Sequence, residues 1–142
     1  MIEDYTKEII EKVEQARLRG VLKVCQKLEA DMVMLCPVDK GDLRAAIGYT
    51  CKLGKKGSIS LSGNADGVVG VDKEHAPHVE FGTRPHVITI KSARVLTDRK
   101  TFFGTRVNHP GTKAQPFVRP AIDQNINNIP EIMKSELSKV AR

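Results

Sequence analysis

The chain has 142 residues, of which 40% are hydrophobic and 28% charged, and these values fit a single globular domain. The longest apolar runs fall well short of the roughly 20 residues that a membrane-spanning helix needs. The charged start of the chain, around Glu3 and Asp4, also lacks the features of a signal peptide. We therefore expect one domain that has no membrane association and that is made and kept in a cytosol.

The net charge of +6 is confined to one segment, residues 84–113, and the rest of the chain is neutral. This segment has one acid, Asp98, and seven basic residues, which are Arg84, Lys91, Arg94, Arg99, Lys100, Arg106 and Lys113. A concentrated positive field favours nucleic acid or an acidic protein surface as its partner. A solvated loop that keeps the protein soluble is the plain alternative.

Residues 4–35 have apolar side chains at spacings of three and four, which predicts one amphipathic helix. At 1.5 Å per residue the helix is roughly 45 Å long. This is longer than a small domain needs, so we expect part of its apolar stripe to meet another subunit. Gly20 on that stripe indicates either the close approach of a neighbour or a bend. Pro37 is expected to end the helix.

The middle of the chain changes to a period nearer two. We predict a short helix at Leu43–Ile47 and then an antiparallel meander with strands at Tyr49–Leu53, Ser58–Ser62 and Gly67–Val71. His75–Phe81 is either a short helix or a strand, of which we favour the helix, and Val87–Ile90 is a further strand. The basic segment then reads as an extended arm or hairpin that returns near Phe102–Val107.

The C-terminal part is helical again from Val118, with an expected break near Asn128 and a new helix that has Pro130 at its first position. The predicted fold class is α+β. A long N-terminal helix and a C-terminal helix pack on a small antiparallel β-sheet, and a basic hairpin arm extends over about residues 84–113.

Enzymatic functions find little support in the sequence. His75, His78 and Glu80 lie close together and His86 and His109 follow, but no second ligand pair at a recognisable spacing completes a metal site. Sequence fingerprints of a nucleophile, a phosphate-binding loop or a dinucleotide site do not occur. We predict a protein that is not an enzyme and that has no cofactor, and we keep a metal-dependent hydrolase as a weak alternative.

The three cysteines, Cys25, Cys36 and Cys51, are widely and irregularly spaced. This spacing suggests neither a disulfide framework nor a zinc cluster. We expect them to be small buried side chains.

Two turns flank the basic segment. In Glu80–Pro85, a glycine between an aromatic residue and a threonine indicates positive φ, and the proline extends the residue before it. His109–Thr112 contains a Pro-Gly pair and is a second turn. Two rigid corners around a charged segment are typical of a loop that is displayed to a partner.

Three motifs resemble the neck and tail-completion proteins of siphoviruses, which are encoded among the head-tail joining genes. After Pro37 comes Gly-x-Leu-Arg, then Ala-x-x-Val-Glu-x-Gly-Thr, then Pro-Gly-Thr-x-x-x-Pro-Phe-x-x-Pro-Ala. The motif residues are Gly41, Leu43, Arg44, Val79, Glu80, Gly82, Thr83, Pro116, Phe117, Arg119 and Pro120. Order and spacing fit over residues 36–121, although His75 and His78 stand where that family often has aromatic residues.

The resemblance implies a structural virion protein that is assembled in the host cytoplasm. It would form a homo-oligomeric ring, of six or twelve subunits, between the head connector and the tail tube or terminator proteins. The long helix and the sheet edges would supply lateral contacts. The basic arm would reach an adjacent ring or contact genomic DNA in the lumen. The alternative is a nucleic-acid-binding module that uses the arm on phosphates of duplex DNA.

Overall fold

A computed structural model describes residues 2–61, 63–91, 95–97 and 100–140, with side chains from Tyr5 onward. The elements in chain order are α1 (Ile2–Leu35), α2 (Asp42–Ala45), β1 (Ile47–Cys51), β2 (Gly54–Lys56), β3 (Gly67–Val71), α3 (Ala76–Phe81), β4 (His86–Thr89), β5 (Leu96–Thr97), β6 (Phe102–Gly104), β7 (Arg106–His109), α4 (Val118–Asn125) and α5 (Asn128–Ser138). The predicted α+β class, with a long first helix, small antiparallel sheets and a C-terminal helix, is confirmed.

The chain divides into two compact units. Unit 1 contains Met1–Ala76 and Pro116–Arg142, and unit 2 contains Pro77–Gln115. The predicted arm, residues 84–113, and both of the turns that flank it belong to unit 2.

In unit 1, α1 packs against β1 and β3 and also against α4 and α5. The sheet has the order β2-β1-β3, and both pairings are antiparallel. Cys25 of α1 joins Tyr49 and Cys51 of β1 in a buried cluster. All three cysteines are free and buried, as expected. Burial raises the pKa of the Cys25 and Cys36 thiols.

The predicted order of the sheet is wrong in one respect. The strand after β1 is Gly54–Lys56, because Lys52 and Leu53 turn the chain within two residues, and the described part of the predicted strand, 58–61, is irregular. All five residues of β3 then pair with β1, from Ile47↔Val71 to Cys51↔Gly67. The central strand is therefore β1, which is not the order of a simple meander.

The Gly-x-Leu-Arg motif closes the C-terminal end of α1. Gly41 has φ of 85°, which permits the turn into α2. Leu43 is buried, and Nη2 of Arg44 donates to the carbonyl oxygen of Cys36 at 3.3 Å. Arg44 thus satisfies one of the carbonyl groups that the end of a helix leaves without an intrahelical partner. α1 itself ends at Leu35, as Pro37 predicted.

Gly20 permits a close helix approach, which was one of its two predicted roles. A Cβ atom at this position would lie 2.6 Å from Sδ of Met133 on α5. The helical break falls at residues 126–127, close to the predicted place, but the prediction that Pro130 is the first residue of the new helix is wrong, since it is the third residue of α5. Proline is tolerated there because the first turn of a helix needs no amide donor.

A buried carboxylate, Glu136 of α5, anchors that helix to α1. Its oxygens lie 2.6 Å from Nζ of Lys139, 2.5 Å from Nζ of Lys23 and 3.7 Å from Nε of Arg19. Hydrogen bonds from Lys139 and Lys23 lower the pKa of Glu136 to about 2. A second buried carboxylate is Glu29 of α1, which accepts a hydrogen bond from Nζ of Lys56 at 2.8 Å.

The first part of α1 differs from the rest of the helix in the exposure of its side chains. Every side chain from Tyr5 to Gln15 is exposed, whereas Ala16 is fully buried. None of the described helices, α1 included, is both long enough and apolar enough to span a membrane.

Candidate functional site

The two turn motifs of unit 2 meet each other. Thr83 and Thr112 form an antiparallel bridge in which each amide donates to the other's carbonyl oxygen, at 3.0 and 3.1 Å. Their hydroxyl groups are 3.0 Å apart, and the amide of Thr112 also reaches Oγ1 of Thr83. The sequence predicted two separate corners, and the fold pairs them into one clasp, defined as residues 82–83 and 111–112.

Glycine is required on both sides of this clasp. Gly82 has φ of 73° and Gly111 has φ of 86°, which L side chains rarely adopt. A Cβ atom at Gly82 would lie 2.6 Å from the carbonyl oxygen of Thr112, and one at Gly111 would collide with the carbonyl oxygen of Thr83. The glycine of the Gly-Thr pair in each motif therefore has a steric explanation.

Beyond the clasp, β4 and β7 form an antiparallel ribbon. Its register runs from His86↔His109 to Thr89↔Arg106, and the amide of Ile90 continues it by donating to Thr105. Since alternate residues point to opposite faces, Ile88 and Val107 share the half-buried face. Val87, Thr89, Arg106 and Asn108 form the other face, and all four are exposed.

The two histidines that open the ribbon are held by their own backbone. Their ring centroids are 5.0 Å apart. Nδ1 of His86 lies 2.8 Å from the carbonyl oxygen of Arg84, and Nδ1 of His109 accepts from the amide of Gly111 at 3.0 Å. The second contact ties the ring of His109 to the clasp, and the first ties the ring of His86 to the residue that follows Thr83.

A second ribbon, β5 with β6, presents aromatic residues. It pairs Leu96 with Gly104 and Thr97 with Phe102. Phe102 is 78% exposed and Phe103 is 45% exposed. The exposure of these side chains was not predicted from the sequence, although two adjacent phenylalanines within a basic segment were a visible signal.

The predicted arm residues in the described part of unit 2 are all exposed, and these are Arg84, Lys91, Lys100, Arg106 and Lys113. Four of them, all except Lys100, form no ion pair with another described residue. The predicted arm residues Arg94 and Arg99, together with Asp98, lie outside the described residues. In the described part of unit 2, these four positive charges are therefore not neutralised by a described acid.

The remaining motif residues have structural positions. The carbonyl oxygen of Val79 in α3 accepts from the amide of Gln115 at 2.8 Å, and Glu80 is buried. Pro116 precedes Phe117, which is fully buried and directly precedes α4. Arg119 and Pro120 lie in the first turn of that helix, where Arg119 is exposed.

The histidine cluster does not assemble. Because residues 76–81 form a helix, His78 and Glu80 are two residues apart on different faces. Among the described residues, no group of three or more His, Cys, Asp or Glu side chains is close enough to hold a metal ion.

Unit 1 has an apolar cleft of about 310 Å³ between α1, β3 and the two C-terminal helices. Cys25 is the one titratable side chain in its lining. Val69, Ile122 and Met133 are among the apolar residues that line it. Such a lining suits an apolar side chain and offers no carboxylate or imidazole for acid-base chemistry.

In comparisons with known proteins, the chain matches no family model, no curated protein and no solved structure.

Proposed function

We propose that the chain is a structural subunit of a tailed bacteriophage, and that it forms part of the neck or tail-completion ring between head and tail. Three sequence motifs in order support this proposal, and the clasp carries it. The Gly-Thr pairs of the second and third motifs, 29 residues apart, bind each other at Thr83 and Thr112. The two motifs thus close the base of the loop between them, and an arm that is displayed to a partner needs such a fixed base.

The contrast between basic and apolar groups in unit 2 supports a role in contact with a partner. The exposed cations and the exposed Phe102 and Phe103 lie on one small unit. Desolvated aromatic side chains with charges around them are typical of the centre and rim of protein interfaces. In this proposal, unit 2 is the arm that reaches a neighbouring subunit.

A shortened arm tests the proposal. Residues 90–105 would be replaced by Asn-Gly, a pair that joins antiparallel strands in a tight turn, so that Thr89 and Arg106 end the ribbon. The clasp and the β4–β7 pairing are retained. In a phage that lacks its own copy of the gene, we expect this variant to yield filled heads and free tails by electron microscopy.

A second variant keeps the full length of the arm and tests its aromatic side chains. Phe102→Ser and Phe103→Ser together change only its apolar surface, and we expect fewer joined particles than the wild type gives. Normal numbers of infectious particles from the shortened variant, with a folded chain, would contradict the proposed role of the arm.

The second candidate function is a nucleic-acid-binding module. The four exposed cations without an ion pair among the described residues favour it, because phosphate contacts need positive charges that are available. This candidate predicts that purified protein binds duplex DNA with an affinity that falls steeply as salt rises. Binding that is absent, or that does not change with salt, would remove it.

A further inference from the structure

The N-terminal part of α1, where the side chains from Tyr5 to Gln15 are exposed, is acidic, although the chain as a whole is basic. Residues 2–15 contain five acidic and two basic residues, a net charge of −3, although the whole chain carries +6. Unit 2, by contrast, contains seven basic and two acidic residues. Among the side chains that the structure describes, the acids at this end of α1 and the bases of unit 2 are exposed, and these are Glu8, Glu11 and Glu14 on the one side and Arg84, Lys91, Lys100, Arg106 and Lys113 on the other.

The exposed end of α1 is also apolar along one face. Tyr5, Ile9 and Val13 follow at intervals of four and are 67%, 42% and 41% exposed, and Ile10 beside them is 59% exposed. The same face continues into Ala16 and Gly20, which are buried. An apolar stripe that is packed at one end and open at the other is the surface that a second helix or sheet can cover.

Unit 2 has the complementary pattern. Its open ribbon face contains Val87, which is 47% exposed, and Arg106. Phe102 and Phe103 add apolar area, and Lys91 adds charge close to the end of the ribbon. Apolar groups with basic neighbours match apolar groups with acidic neighbours, because attraction between opposite charges sets the register of an interface.

We propose that residues 5–15 of α1 in one copy dock on the β4–β7 ribbon of unit 2 in an adjacent copy. This inference rests on the proposed function, since it names the partner of the arm. The contact is heterologous, with different surfaces on the two copies, and such contacts close into a ring when the rotation between copies allows it.

Charge reversal on each surface tests the contact. The first variant carries Glu8→Lys and Glu11→Lys on α1, and the second carries Lys91→Glu and Arg106→Glu on unit 2. Each variant places like charges opposite each other between identical copies. We expect each alone to self-associate at least about tenfold more weakly than the wild type, by sedimentation velocity.

Mixing the two variants separates this contact from every other. In the mixture, the reversed α1 of the first variant faces the reversed ribbon of the second, and the two native surfaces also face each other. We expect association of the mixture to recover to within about threefold of the wild type. An attraction within one chain could not be restored in this way.

A control variant makes the same change in charge as the second variant, but at two lysines elsewhere in the chain. Lys55→Glu and Lys134→Glu alter exposed lysines of unit 1 that form no ion pair among the described residues, and we expect wild-type association. A mixture no stronger than its separate components would overturn the proposal, as would a wild-type chain that remains monomeric at every concentration. If the second variant, with Lys91→Glu and Arg106→Glu, self-associates as the wild type does but no longer binds duplex DNA, the proposal is overturned and DNA is the partner of the ribbon.

These outcomes are independent of the test of function. Self-association is measured on purified protein, whereas the shortened arm is scored by joined particles. If the mixture fails but the shortened arm still blocks joining, the arm has a different partner. If the mixture recovers but the shortened arm joins normally, the proposed function fails and the contact remains.

Discussion

The two units stabilise their charges in different ways. In unit 1, buried acids are neutralised by cations from another element, as Glu136 is by Lys23 and Glu29 is by Lys56. In unit 2, four exposed cations have no ion pair with another described residue, and the apolar residues Phe102 and Phe103 are exposed. These ion pairs of buried acids therefore fix elements of unit 1 to one another, whereas the four cations of unit 2 are available to the partner that we propose.

Replacing a phenylalanine by alanine should change the free energy of unfolding by very different amounts in the two units. Phe117→Ala removes the largest fully buried side chain of unit 1, and we expect a loss of about 3 to 5 kcal/mol in the free energy of unfolding. Phe102→Ala removes an exposed ring, and we expect a change within about 0.5 kcal/mol. Urea denaturation of both variants measures the difference. Equal losses would show that the two rings are buried alike.

Strain at the clasp should be the next largest effect. Gly82→Ala combines positive φ with a Cβ only 2.6 Å from a carbonyl oxygen, and we expect a loss of about 2 to 4 kcal/mol in unit 2. Gly104→Ala also has positive φ, of 81°, but nothing lies within 4 Å, so about 1 kcal/mol is expected. The rate of hydrogen exchange at the amides of Thr83 and Thr112 measures how often the clasp opens in each variant. Exchange that is equally fast in both variants would remove the steric explanation.

The sequence predicted most of the elements because their periodicity is local. The amphipathic spacing in α1, the proline after it and the glycine-rich turns all act on neighbouring residues. The pairing of β3 with β1 was missed, since strand order depends on contacts between residues about 20 positions apart. The burial of Glu29 was missed for the same reason, because its partner, Lys56, lies on a different element.

The candidate site was predicted in part. The two turns and the basic residues were visible in the sequence, but the clasp that joins Thr83 with Thr112 required the fold. The exposure of α1 up to Gln15 was not predicted as such, since periodicity identifies an apolar face without saying where along the helix that face is covered.

Acid should weaken unit 1 through Glu136. Its pKa is about 2 in the folded chain against an ordinary value of 4.5, so the folded chain binds fewer protons than the unfolded chain between these values. Stability from this group is complete above pH 4.5 and is lost as the pH falls towards 2. Denaturation midpoints between pH 6 and pH 2 should fall less steeply for Glu136→Gln than for the wild type.

A control on the same helix isolates this effect. Glu131→Gln changes an exposed carboxylate that forms no ion pair with another described residue, and its profile should follow the wild type. Parallel wild-type and Glu136→Gln profiles would show that the lysine contacts do not stabilise the fold.

The smallest effect should come from the exposed cations. Lys91→Glu with Arg106→Glu should change the free energy of unfolding by no more than about 0.5 kcal/mol, because neither side chain has an ion pair to lose among the described residues. Thermal unfolding at neutral pH measures it. A loss of several kcal/mol would show that these side chains stabilise the fold, and it would contradict the view that they are available to a partner.

The most direct test of the account is a photo-crosslink from the arm in assembled particles. A benzophenone side chain in place of the exposed ring of Phe102 would react with whatever lies next to it. We predict a product with the mass of two copies of this chain, whose crosslinked peptide contains residues 5–15 of α1. Particles that join normally but give crosslinks to DNA alone, or none at all, would contradict it.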